Sequence, residues 1–84
     1  IIMINDNSAK SNYELMNFLS NYGIGTQLHY LPIHLQPYYK KIGFKKNNFP
    51  NAEYYSKKAL SIPIHVHLSF DDVDFITNKI SQFF

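Results

Sequence analysis

Apolar and polar positions change period along the chain, and the changes mark its elements. Ile1 to Ile4 is an unbroken apolar run that predicts a buried strand, and Asn5 to Ser8 supplies the short polar side chains that satisfy turn amides. Ser11 followed by Glu14 is a capping-box pair, after which Leu15, Met16, Phe18, Leu19 and Tyr22 recur at helical spacing. Gly23 ends that helix, because a left-handed cap residue is most easily a glycine. Gly25 to Tyr30 then predicts a second strand, in which alternation sets Thr26, Leu28 and Tyr30 on one face and Gln27 and His29 on the other. Pro32 and Pro37 force Leu31 and Gln36 into extended backbone, so the stretch between them is stiff and not helical.

Tyr38 to Ile42 predicts a short helical turn ending at Gly43, followed by a lysine and asparagine loop from Phe44 to Phe49. Pro50 suits the first turn of a helix running to about Leu60, with Ala52, Tyr55, Ala59 and Leu60 facing inward. Ser61 to Ile64 predicts the third strand, with Pro63 at its edge or end. Ser69 and Asp72 form a second capping box, Leu68 can staple onto Val73, and Val73, Ile76, Ile80, Phe83 and Phe84 make a buried stripe. The order β-α-β-α-β-α predicts an α+β fold, a single domain over 1–84 with a short three-stranded sheet and flanking helices.

Composition narrows the class. A chain of 84 residues with 45% apolar and 17% charged residues holds one modest core and is too hydrophobic for intrinsic disorder. The absence of cysteine excludes disulfides, thiolate metal sites and a cysteine nucleophile, and fits a reducing, cytoplasmic setting. Apolar runs fall well short of the ~20 residues that span a bilayer, so no membrane partner is expected. All eight basic residues are lysine, which removes the bidentate fork with which arginine binds phosphate. Opening on Ile-Ile-Met-Ile without a polar lead-in, the chain is expected to be cut from a longer polypeptide.

Candidate chemistry concentrates between Gly23 and Tyr39, where two histidines, three tyrosines and two glutamines surround two prolines. Rings held on so constrained a backbone suggest a surface that grips a ligand. His29, His34, His65 and His67 invite a metal reading, but an H-x4-H and an H-x-H without cysteine or carboxylate partners is a weak pattern, and no metal is expected. The basic aromatic strip from Tyr38 to Lys46 lacks any ribonucleoprotein pattern, so no nucleic acid is expected either. Gly23, Gly25 and Gly43 fit no phosphate-cradling loop, and Ser11, Ser61 and Ser69 sit at caps or strand ends. No set of residues here makes a self-contained catalytic site.

Taken in order and spacing, Gly23-Ile24, Gln27-Leu28-His29-Tyr30, Pro32, His34, Gln36-Pro37-Tyr38-Tyr39, Gly43, Pro50-Asn51-Ala52-Glu53 and Leu60-Ser61-Ile62-Pro63-Ile64 resemble the C-terminal end of the pyridoxal-phosphate-dependent nucleotide-sugar aminotransferases of the DegT/DnrJ/StrS type. The likeness covers nearly the whole chain and is strongest to the pseudaminic acid branch of that family. It implies a fold-type-I homodimer with a large cofactor domain and a small C-terminal domain, most of which this chain would be. It implies amination of a UDP-linked 4-keto-6-deoxy sugar with glutamate as donor, for surface polysaccharide or glycan biosynthesis. Pyridoxal 5'-phosphate would be bound by the large domain, and no residue here matches the Schiff-base lysine or the aspartate on the pyridine nitrogen. No catalytic residue is therefore carried over, and the chain alone is expected to be inactive.

What the resemblance does imply here is a substrate-binding segment, Gln27, Leu28, His29 and Tyr30, at the mouth of the active site, with His34 as the next candidate and Tyr38 after it. The amide and imidazole can hydrogen-bond sugar hydroxyls or diphosphate oxygens, and the tyrosine can line the sugar pocket. His65-Val66-His67 departs from the family, whose members more often carry phenylalanine and proline there. A stand-alone binding or interaction module without catalysis is the alternative.

Overall fold

The computed structural model describes residues 1–28 and 30–84. In chain order these form strand β1 (Ile2–Met3), helix α1 (Asn12–Ser20), short helix α2 (Pro37–Lys41), helix α3 (Pro50–Lys58), strand β2 (Ala59–Leu60) and helix α4 (Phe70–Phe83), with a 3-10 turn at Ile33–Leu35 ahead of α2.

Both capping boxes form. The Glu14 amide donates to Ser11 Oγ at 3.1 Å and the Ser11 amide to Glu14 Oε2 at 2.7 Å. At α4 the Asp72 amide donates to Ser69 Oγ at 3.1 Å and the Ser69 amide to Asp72 Oδ2 at 3.0 Å. Each box satisfies two amides that a helix start otherwise leaves without partners. Beyond the end of α1, Gly23 takes φ +74° and the Ile24 amide reaches back to the Leu19 carbonyl at 3.1 Å. That Schellman-type closure reverses the chain and delivers Ile24 into the core.

The core is built from Ile4, Leu15, Leu19, Ile24, Leu60, Ile76 and Phe83, with Ile2, Met16, Phe18, Leu28, Leu68 and Ile80 packed around them. Helix α4 lies on α1, and its buried stripe is narrower than the sequence predicts. Ile76 and Phe83 are buried and Ile80 half-buried, but Val73 and Phe84 remain exposed, since the part of the helix surface that meets α1 holds only the central rows.

Among the described residues the predicted three-stranded sheet is reduced to two antiparallel strands, β1 pairing with β2 in the register Ile2 to Leu60 and Met3 to Ala59, plus a bridge from Gln27 to Ser61. Around this bridge the backbone groups of the neighbouring residues are constrained. On one side of the bridge the next bonded partner would be Pro63, which has no N–H to donate. Two residues before Ser61, the Ala59 amide donates to Tyr55 O and its carbonyl accepts from Asn12 Nδ2 at 2.9 Å. β2 begins at Ala59, two residues earlier than expected, and α3 ends at Lys58 instead of about Leu60, because Ala59 takes extended backbone.

Helix α3 also presents a face other than the predicted one. Ala59 and Leu60 are buried as expected, but as strand residues, whereas Ala52 and Tyr55 are exposed and Glu53 points inward. Asn12 joins the two helices: its buried amide donates to Ser56 O and to Ala59 O, both at 2.9 Å. Those bonds set the spacing of α1 and α3, and the spacing shapes the site.

Candidate functional site

Gln27 is held by two backbone bonds, its amide donating to Ser61 O at 3.1 Å and its carbonyl accepting from the Ser61 amide at 2.9 Å. Leu28 turns inward onto the core. Tyr30 then adopts φ +43°, a left-handed conformation that costs a non-glycine residue about 1–3 kcal/mol and is found where the surroundings fix it. This bend breaks the alternation expected of a strand. Gln27 Nε2 donates to Tyr30 Oη at 3.3 Å, so two side chains predicted on opposite faces meet on one. His29, predicted to share a face with Gln27, lies outside the described residues.

Leu28, Tyr30, Leu31 and Pro32 form one wall of an open cleft of about 340 Å³, and Asn12, Tyr13, Ser56 and Lys57 form the other. The volume is at the lower end of the range that ligand sites occupy. Three hydroxyls and an ammonium border an apolar floor, a combination that can hydrogen-bond sugar hydroxyls and attract phosphate oxygens. Tyr13, Ser56 and Lys57 carry no local sequence signal. Tyr13 stands on the exposed side of α1 and Lys57 reads as a solvated lysine, and only the α1–α3 packing brings them to Tyr30.

His34 is placed differently. It is 5% exposed, inside the 3-10 turn, with its ring edge-on to Phe49 at 4.9 Å between centroids. Its Nε2 stands 3.3 Å from Glu53 Oε2, in van der Waals and polar contact but off the line that a hydrogen bond needs. Tyr38 is exposed and packs edge-to-face on Tyr39 at 5.1 Å. His65 and His67 are exposed with ring centroids 6.3 Å apart, and His65 borders a depression of about 560 Å³ between the end of α1 and the start of α4. The carboxylate that lines that depression, Asp72, is committed to capping, accepting from the Ser69 amide. Among the described residues no three His, Cys, Asp or Glu side chains gather as a metal site would require.

Two of the helix starts are already occupied. The first turns of α1 and α4, where amides could cradle a phosphate, are filled by the helices' own carboxylates. Lys10 reaches the Phe83 carbonyl, Lys79 lies 4.1 Å from the Tyr22 ring centroid, and Lys58 is 3.4 Å from Asp6. No helix of the described residues is long and apolar enough to cross a membrane.

Three carboxylates are held below the ordinary value, each chiefly by a backbone amide: Glu53 by that of Asn47, Glu14 by that of Ser11 and Asp72 by that of Ser69. A carboxylate whose pKa falls on folding adds stability above its unfolded pKa and loses it as pH drops through the folded one. The urea midpoint is therefore expected to be level above the glutamate reference of 4.5 and to fall progressively below it. A midpoint that stays level well into that acid range would contradict these three contacts.

Residues 1–81 match the DegT/DnrJ/EryC1/StrS aminotransferase family. The spore coat polysaccharide biosynthesis protein SpsC of Bacillus subtilis (strain 168) is 50% identical over 54 residues, which is 63% of this chain and 14% of SpsC. The uncharacterized protein MJ1066 of Methanocaldococcus jannaschii is 36% identical over 83 residues, 96% of this chain and 22% of that protein. Among solved structures, a Streptococcus pneumoniae protein named as a sugar aminotransferase, in its PMP form, superposes with a TM-score of 0.75 at 31% identity, covering 81% of this chain and 17% of that one. The chain thus spans a fifth or so of the relatives it matches, and within that span its sequence and its fold both belong to the DegT/DnrJ/EryC1/StrS aminotransferase family.

Proposed function

We propose that residues 1–84 are the small C-terminal domain of a pyridoxal-phosphate-dependent sugar aminotransferase, and that Gln27 to Tyr30 form one edge of its nucleotide-sugar pocket. The observation that carries the substrate half of this reading is the cleft itself: Tyr30, held in left-handed backbone, faces Tyr13, Ser56 and Lys57 across a space of about 340 Å³. Lys57 offers the charge a diphosphate needs, and the hydroxyls match a sugar ring. Leu28 serves as packing beneath the edge, and His34 as a support behind it.

The domain half rests on surface chemistry. Ile64, Val66 and Phe70 are 91%, 93% and 91% exposed, an apolar strip of a kind that marks contact with more protein. The radius of gyration is 15.2 Å, against about 12 Å for a compact globule of this length. The remainder of the polypeptide would cover that strip and hold the cofactor, whose chemistry is that of an electron sink for amino-group transfer. In this reading the enzyme is a cytoplasmic homodimer, takes its amino group from glutamate, and serves surface polysaccharide or glycan synthesis, with a UDP-linked 4-keto-6-deoxy-N-acetyl sugar of the pseudaminic acid type as substrate.

The test is direct. Incubated with that keto sugar nucleotide and glutamate, the protein at its native length is expected to yield the amino sugar and 2-oxoglutarate, while the 84-residue chain yields neither. A native-length protein that binds the cofactor yet aminates no UDP- or TDP-linked keto sugar would overturn the substrate assignment.

A further inference from the structure

We propose that Glu53 is the positioning residue of the substrate edge: its buried carboxylate clamps the Lys45–Asn48 turn and the His34 loop onto α3, and so fixes where Tyr30 stands. The functional half of this proposal rests on the reading of Gln27 to Tyr30 as a substrate edge; the structural half does not.

Glu53 is 6% exposed on a helix otherwise rich in exposed polar residues. Burying a carboxylate is costly unless partners surround it, and here they come from two separate loops. From one side the Asn47 amide donates to both carboxylate oxygens, at 3.0 and 2.8 Å, and Asn47 is held at φ +73°. From the other side comes His34 Nε2, 3.3 Å from Oε2. The His34 loop is rigid in its own right, with the Leu35 amide on Pro32 O at 2.9 Å and the Gln36 amide on Ile33 O at 3.1 Å. Pro32 in turn lines the cleft beside Tyr30. A displacement of His34 is therefore passed through proline-stiffened backbone to the cleft wall. His34 and the Pro50-Asn51-Ala52-Glu53 run each stand out in the sequence, but nothing local links them.

The experiment places 3-fluorotyrosine at position 30 of the native-length protein and compares fluorine NMR and kinetics for Glu53→Gln, His34→Gln and the double variant. Each single change is expected to shift the position 30 resonance, and the double to shift it little further, since both break one contact. The Michaelis constant for the sugar nucleotide is expected to rise about tenfold, equivalent to about 1.4 kcal/mol, with kcat nearly unchanged. A position 30 resonance that stays put in Glu53→Gln would overturn the proposal, leaving Glu53 as a cap for the Asn47 turn alone. A shifted resonance with an unchanged Michaelis constant would uphold the positioning and reject the substrate edge. If Glu53→Gln fails to fold, Glu53→Asp, which keeps the charge but withdraws it by one methylene, is expected to give the same shift, and its absence counts equally against the clamp.

Discussion

Leu60→Ala is expected to remove much of the stability of this chain. Leu60 is 0% exposed, belongs to the central core cluster, and sits in β2 between its partner β1 and the Ser61 bridge to Gln27. Truncating a leucine at such a site costs about 2–5 kcal/mol, the lost transfer energy plus the cavity left behind. A domain of this length holds only about 4–13 kcal/mol in all, and one with an uncovered apolar strip belongs toward the lower end. In urea denaturation followed by circular dichroism the midpoint is expected to fall steeply, whereas Ile64→Ala, at a residue 91% exposed, should move stability by no more than about 0.5 kcal/mol. Equal effects from the two substitutions would mean that the core has been placed wrongly.

How much of this was legible in the sequence depends on the range of the forces involved. Both capping boxes, the Gly23 stop and the α4 stripe as far as Ile76 and Phe83 follow from residues within one or two helical turns of each other, and all are present. The third strand was not legible in its true extent. Next to it Ala59 is tied to Asn12, a residue that in sequence is simply the first of a helix. The inward face of α3 was misjudged because Glu53 looks like a surface residue until Asn47 and His34 are folded against it. Within the site, Gln27, Leu28 and Tyr30 stood out by resemblance, but their arrangement did not. The positive φ of Tyr30 turns its side chain toward Gln27, and no pattern of alternation can announce that bend. Tyr13, Ser56 and Lys57 are ordinary surface residues of two helices, and their convergence on the cleft is a product of packing alone.

The other large effect is expected at Tyr30. Its ring forms part of the cleft wall and its hydroxyl accepts from Gln27 Nε2 at 3.3 Å, so Tyr30→Ala removes both surface and polar anchor from the proposed pocket. Loss of a ring contact and a hydrogen bond together is worth about 2–3 kcal/mol, or about 30- to 150-fold in affinity. Tyr30→Phe, which keeps the ring, should cost only a few-fold. Tyr30→Gly separates contact from strain: glycine adopts φ +43° freely, so it relaxes the backbone while losing the same contacts, and it should resemble the alanine variant in substrate affinity. The measurement that bears most directly on the assignment is the Michaelis constant of Tyr30→Ala for the sugar nucleotide, taken at native length alongside the absorbance spectrum of the bound cofactor. A constant raised about thirtyfold or more with an unchanged spectrum is the expected result; an unchanged constant, or a spectrum altered in step with it, would contradict the placement of Tyr30 at the substrate edge.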